Sequence, residues 1–313
     1  MIAPSDSSAR AREVWGDPHE PEVLIANRDG IARLVTIDGH RAGPIMASAI
    51  SPLEQVARQQ SPALIVAREY NARRLNAYDC ATGKLLWQVD GLSDVYNVYA
   101  TGGPFILARL NSNLLVQIDA VSGSVTHRLN HVVECGTDSR SALFIVIRQK
   151  RTRGPCEIEW RTSCEGDALH RCDYPSLYPP FRFAFGPDWI AMTANALGEV
   201  LCISRTGKLL WHTTLGPADY RTSFSGEPEC DLFSPAVGST VGGSRLFLLQ
   251  RSKRSSADYG VFINPYTGEI IDKRILPLEH VGYEFAANGT CLVNRDGYLE
   301  IESGRYHPVE YSV

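Results

Sequence analysis

The chain lacks any run approaching eighteen consecutive apolar residues. Over its first thirty positions it has no apolar stretch of signal-peptide length, only small and charged residues such as Arg10, Arg12, Glu13 and Asp17. Neither a membrane span nor an export signal is expected, and the expected location is the cytosol. Net charge is small too. The 31 Lys and Arg against 35 Asp and Glu give a formal charge of -4 and an isoelectric point near 6.1. Whole-molecule attraction to nucleic acid or to an anionic membrane is therefore not expected. Helical periodicity is nearly absent. The one candidate, Ser51 to Arg58, is a short stretch with a cap-like start and reads as a helical decoration on a linker.

Catalytic signatures are missing as well: nothing matches Gly-x-Ser-x-Gly, a Walker loop or His-Glu-x-x-His. The eight cysteines are Cys80, Cys135, Cys156, Cys164, Cys172, Cys202, Cys230 and Cys291, with no vicinal pair among them. Without an export signal they read as reduced, small core residues. Cys156, Cys164, His170 and Cys172 form the densest thiol and imidazole cluster. Cys156 and Cys164 fall on one predicted strand, roughly 26 Å apart at ~3.3 Å per residue, whereas zinc needs sulfur at ~2.3 Å. Neither a metal nor a cofactor is expected. Glu157 and Glu159 alternate along the same predicted strand, the pattern of a solvent face.

What the chain does have is a repeated strand-turn-strand unit. Its clearest copy runs from Leu75 to Trp87: Leu75 and Ala77 alternate, Thr82-Gly83 turns, and Leu85 and Trp87 resume at period two. Equivalent turns stand at Asp38-Gly39, Ser122-Gly123, Glu165-Gly166, Thr206-Gly207, Thr267-Gly268 and Ser303-Gly304. The successive spacings of 44, 40, 43, 41, 61 and 36 residues cluster at the ~40–50 residue period of propeller blades. The predicted fold is all-β, a seven-bladed β-propeller of four-stranded antiparallel blades. Residues 1–20 read as an N-terminal segment, and 21–313 as one domain with an insertion at about 217–243 accounting for the long interval.

Two units show all four strands. The third reads as strands over 94–101, 104–110, 114–120 and 124–129, the fifth as strands over 181–186, 189–195, 199–205 and 208–215. The stretches Asp79 to Trp87, Ser204 to Trp211 and Asn264 to Ile271 resemble the repeat of quinoprotein-type (PQQ-like) β-propellers, which carry Asp-x-x-Thr-Gly-Lys-x-x-Trp; Ser234 to Val237 resembles the start of an inner strand of that repeat. The resemblance implies that Trp87 and Trp211 pack between neighbouring blades. It implies no quinone chemistry here, because quinoprotein dehydrogenases are longer, secreted, and typically carry a vicinal cysteine pair over the cofactor.

A four-stranded meander sorts the loops. The Thr-Gly turns lie at one end; the second-to-third turns and the inter-blade connections lie at the other, where recognition loops on a rigid scaffold are expected. At that second end the turns are basic in alternate units: Arg68, Arg73 and Arg74; then Arg148, Lys150, Arg151 and Arg153; then Arg251, Lys253 and Arg254. The connections add Asp94, Tyr96, Tyr178, Phe181, Tyr220, Arg221 and Phe224 as candidate binding residues. Tyrosine with arginine is the makeup of interface anchors, although exposed cations also simply solvate hairpin tips.

The first functional expectation is a non-catalytic propeller that binds another protein, an acidic one, in the manner of a bacterial adaptor or a toxin-neutralising immunity protein. The alternatives are an enzyme or small-ligand binder using an axial funnel, and phosphate or nucleic-acid binding by the basic tips. No oligomeric state is indicated.

Overall fold

The computed structural model describes residues 13–15, 22–26, 31–36, 42–47, 53–69, 73–92, 94–149, 154–174, 182–194, 199–214, 221–222, 228–229, 233–240, 243–251, 258–275, 283–285, 290–293, 297–300 and 305–308. Among them no helix occurs, and the strands form seven four-stranded antiparallel sheets, each paired in chain order. Sheet 1 holds β1 (Glu13–Trp15), β2 (Glu22–Ala26), β3 (Ile31–Thr36) and β4 (Ala42–Ala47). Sheet 2 holds β5 (Leu53–Gln59), β6 (Leu64–Glu69), β7 (Arg74–Asp79) and β8 (Leu85–Asp90). Sheet 3 holds β9 (Val95–Ala100), β10 (Phe105–Leu110), β11 (Leu114–Asp119) and β12 (Val125–Asn130). Sheet 4 holds β13 (Val132–Thr137), β14 (Phe144–Gln149), β15 (Cys156–Arg161) and β16 (His170–Tyr174). Sheet 5 holds β17 (Arg182–Phe185), β18 (Trp189–Ala194), β19 (Glu199–Ser204) and β20 (Leu209–Thr214). A two-stranded hairpin, β21 (Arg221–Thr222) and β22 (Pro228–Glu229), precedes sheet 6. Sheet 6 holds β23 (Phe233–Thr240), β24 (Gly243–Arg251), β25 (Asp258–Ile263) and β26 (Ile270–Ile275), and sheet 7 holds β27 (Tyr283–Phe285), β28 (Thr290–Val293), β29 (Gly297–Glu300) and β30 (Arg305–Pro308).

All seven glycine marks fall between the third and fourth strands of a sheet. Three details differ from expectation. The stretch read as a helical decoration is β5: its backbone pairs with β6 from Leu53 to Gln59, and Ala57 and Gln59 are buried, so ladder bonding and burial override the cap-like start. β1 begins inside the segment assigned to the N-terminus. In the long interval, β23 is already the first strand of sheet 6, so the stretch outside the four-stranded pattern ends before Phe233.

The chain divides into two compact units, Met1–Ser93 with Val281–Val313, and Asp94–His280. In the second, sheets 3 to 6 stack face to face, which explains why their middle strands are continuous apolar runs rather than alternations. Phe144 and Val146 of β14 join Leu107 and Leu115 in the seam between sheets 3 and 4, whereas Ile145 and Ile147 join Ile190 and Met192 in the seam between sheets 4 and 5. Trp189 and Ala191 then face Leu246, Leu248 and Val261 of sheet 6. Each large apolar side chain so buried contributes roughly 1.5–3 kcal/mol.

The repeated turn has a local cause. Asp79 Oδ1 accepts hydrogen bonds from the Thr82 hydroxyl and N–H, each at 2.7 Å, and from Ala81 N–H at 3.1 Å, while Gly83 N–H closes the turn on the Asp79 carbonyl at 2.8 Å. Asp119 does the same for Val121 and Ser122, and Asn264 for Tyr266 and Thr267. The Asp-x-x-Thr-Gly pattern is thus a side chain copying a backbone turn, with glycine supplying φ +68° at Gly83. The sheet 5 turn is one residue shorter, closing from Gly207 N–H to the Ser204 carbonyl.

The outer-strand tryptophan position works across a seam. Trp211 Nε1 donates to the Pro265 carbonyl of sheet 6 at 2.7 Å, and its ring lies where a Cβ on Gly268 would stand, 2.8 Å from Cδ2. Four residues past their own turn glycines, His127 and His170 occupy the same place in sheets 3 and 4. His127 Nε2 lies 3.3 Å from Glu165 Oε2 of the next sheet, and His170 sits against Gly207 of the next.

Candidate docking site

Of the cations expected in the second-to-third turns, those described sit at or beside the strand ends that flank those turns. Arg68 is the next-to-last residue of β6, Arg74 opens β7 with Nη1 3.5 Å from Gln88 Oε1, and Arg73, in the bend just before it, is exposed. Arg148 belongs to β14, where Nη1 meets Glu159 Oε1 at 3.2 Å. Arg221 and Arg251 lie in β21 and β24. Lys150, Arg151, Arg153, Lys253, Arg254, Tyr178, Phe181, Tyr220 and Phe224 lie outside the described residues.

Glu159 corrects the expectation of a solvent face. It is 0% exposed and held by three guanidinium groups: Arg161 Nε at 2.7 Å, Arg148 Nη1 at 3.2 Å and Arg171 Nε at 3.3 Å. Alternation along β15 is real, but both faces of a stacked sheet are covered, so the polar face here is a seam. Cys164 is not on the strand with Cys156 either. β15 ends at Arg161, and the Cys164 N–H donates to Gln117 Oε1 of sheet 3 at 2.7 Å. Burial pushes its thiol up to about 12.

Of the residues expected in connections, Asp94 and Tyr96 have described side chains: Asp94 precedes β9, Tyr96 is its second residue, and both are exposed. Asp94 takes a left-handed backbone, φ 60°, and its carbonyl accepts from Asn111 N–H at 2.9 Å; His131, φ 63°, accepts from Gln149 N–H at 3.1 Å before sheet 4. The second-to-third turns are thereby tied to the connections, which stiffens this end of both sheets. Tyr96 is 46% exposed, yet it is not loose. The Arg109 guanidinium carbon stands 3.9 Å from its ring centroid, a cation–π contact that contributes about 0.5–2 kcal/mol.

Arg109 is itself only 7% exposed, and its charge is answered by Glu134 of sheet 4, 2% exposed, with Nε to Oε1 at 3.4 Å. That contact is ionic rather than an aligned hydrogen bond. Glu134 Oε1 also accepts from the Tyr99 hydroxyl and from Cys135 N–H at 3.1 Å, and Asn97 Nδ2 donates to the Tyr99 oxygen at 3.2 Å. Burial first, and then the Glu134 carboxylate, raises the Tyr99 hydroxyl well above the usual phenol range, so it stays a donor. Sequence reading missed Arg109, Glu134 and Tyr99. The available signal was a single charge inside an apolar strand, Arg109 in Phe105–Leu110 and Glu134 in Val132–Thr137, since a buried charge demands a partner.

No protein-family model matches the chain, and no curated protein matches it. Solved structures do. BamB from Moraxella catarrhalis is 14% identical with a TM-score of 0.57, covering 94% of this chain and 83% of that one. The RRP9 WD40 repeats are 11% identical with a TM-score of 0.65, covering 94% and 89%. The β-propeller domain of Myceliophteria thermophila Cps50 (Swd1) is 10% identical with a TM-score of 0.64, covering 99% and 100%. At these identities the likeness establishes the β-propeller fold and nothing narrower.

Proposed function

We propose that the chain is a non-catalytic protein-binding propeller of adaptor or toxin-neutralising type. Its docking surface is the end of sheets 3 to 6 that carries their second-to-third turns and connections. The observation that supports this reading is Tyr96: a large ring, half open to solvent and already held by a compensated buried charge, is what an interface anchor requires. The reading carries with it an acidic partner, whose approach basic second-to-third turns would accelerate.

The test is site-specific photocrosslinking in cells, with the photoreactive residue at position 96 and, as control, at Val121, which is 72% exposed in the Ser122-Gly123 turn at the opposite end of sheet 3. A discrete adduct from position 96 and none from 121 is expected. The purified partner so identified should then lose at least tenfold in affinity to Tyr96→Ala. Equal labelling at both positions, or none, overturns the reading.

A further inference from the structure

The first strands of sheets 2, 3 and 4 break register at the same step. Leu53 and Gln55 face Glu69 and Arg68, Val95 and Asn97 face Leu110 and Arg109, and Val132 and Glu134 face Arg148 and Ile147. Each break inserts one extra residue: Glu54, Tyr96 or Val133. A bulge of this kind re-aims the extra side chain, and its recurrence at one position makes it a presentation slot. In sheet 4 the slot is spent on packing, with Val133 against the apolar seam to sheet 5. In sheet 3 it holds Tyr96, and the residue across the bulge, Arg109, lies against the ring.

Arg109 could not keep that place alone, because a buried guanidinium without a counter-charge would swing toward water. Glu134 supplies the counter-charge from the neighbouring sheet, and the Tyr99 hydroxyl and Cys135 N–H fix the carboxylate in turn. We infer that Arg109, Glu134 and Tyr99 are positioning residues that hold the Tyr96 ring in its presented orientation. The inference rests on the reading of Tyr96 as the docking anchor, and it places the control of that anchor in the seam with sheet 4. Holding one such side chain in place before binding is worth a factor of about 2–12 in affinity.

The experiment uses the full chain with isotope-labelled tyrosine rings, the Tyr96 signals being assigned by their loss in Tyr96→Phe. In Arg109→Gln and in Glu134→Gln those signals should move toward the values of an unconstrained tyrosine, with a smaller movement in Arg109→Lys, which keeps the charge but not the flat stacking surface. Tyr99→Phe removes a single hydroxyl from Glu134 and should produce a partial movement in a chain that still melts cooperatively, which keeps the test decisive if the Arg109 or Glu134 variants fail to fold. Tyr96 signals that stay in place in a folded Arg109→Gln or Tyr99→Phe chain overturn the inference. The docking reading fails differently: the signals move as expected, but position 96 yields no crosslink.

Discussion

The seam between sheets 3 and 4 and the seam between sheets 5 and 6 join the same kind of backbone by opposite chemistry. Between sheets 5 and 6 the contact is apolar, Trp189, Ala191 and Val200 against Leu246, Leu248 and Val261, finished by the Trp211 ring over the next turn. Between sheets 3 and 4 apolar packing shares the space with two buried carboxylates, Glu134 and Glu159, with the Gln117 amide, and with His127 where the other seam has tryptophan. The apolar seam loses stability in proportion to what is removed. The polar seam does not, because deleting one partner strands the others without water.

The largest effect should come from testing that asymmetry directly. Glu159→Ala leaves Arg161, which is 2% exposed, without its carboxylate, and is expected to cost about 3–5 kcal/mol in a urea titration. Ile263→Val in the apolar seam between sheets 5 and 6 deletes one buried methylene and should cost about 0.5–1.5 kcal/mol. A Glu159→Ala chain no less stable than Ile263→Val would show that the arginine cluster is solvated and that the seams differ only in composition.

The turns sharpen the comparison at a smaller scale. Gly268 (φ +75°) and Gly166 (φ +70°) share a left-handed backbone, so alanine at either should cost roughly 1–2 kcal/mol from conformation alone. Only at Gly268 would the new methyl meet the Trp211 ring, at 2.8 Å, whereas Gly166 faces open space. Gly268→Ala should therefore lose roughly a further 1–3 kcal/mol from overpacking, read as the difference between two thermal midpoints. Equal midpoints would mean that the Trp211 ring moves aside without loss, and that the tryptophan latch is not rigid.

This division also explains what was legible in the sequence. The turn glycines could be read because Asp79, Asp119 and Asn264 each bond their own turn, a purely local event that leaves a fixed spacing. Strands of the third and fifth units were legible within a residue or so for the same reason: apolar runs bounded by turns. Glu159 and the stretch from Ser51 were misread because their state depends on what a neighbouring strand or sheet supplies. Two-residue alternation marks two faces but does not say whether either is wet. Tyr96 was expected in a connection and lies in β9, at its bulge. The Arg109, Glu134 and Tyr99 contacts behind it were not legible, since they bring together residues from three strands of two sheets.

The smallest effect concerns acid. Hydrogen bonds from the Thr82 hydroxyl and N–H hold the exposed Asp79 carboxyl below its usual range. Burial pushes Asp138 up, but the hydrogen bond from Arg205, with Nη2 2.6 Å from Oδ2, more than reverses this, so Asp138 is lowered too. A carboxyl depressed in the folded state contributes stability that is complete above its unfolded value, about 3.9, and is lost as the pH falls through the lower folded value. Stability should thus decline below about pH 4, and the two carboxyls should be separable by variant. Asp79→Asn keeps an acceptor that Asn264 already uses for the same turn, so its urea midpoint at pH 7 should nearly match the parent while the fall toward pH 3 becomes shallower. Asp138→Asn removes the ionic partner of Arg205 between sheets 4 and 5, so its midpoint should drop at pH 7 as well. If instead Asp79→Asn falls with acid as steeply as the parent and Asp138→Asn is unchanged at pH 7, the charged form matters in neither place. The turn end of these sheets would then be held by backbone and packing alone.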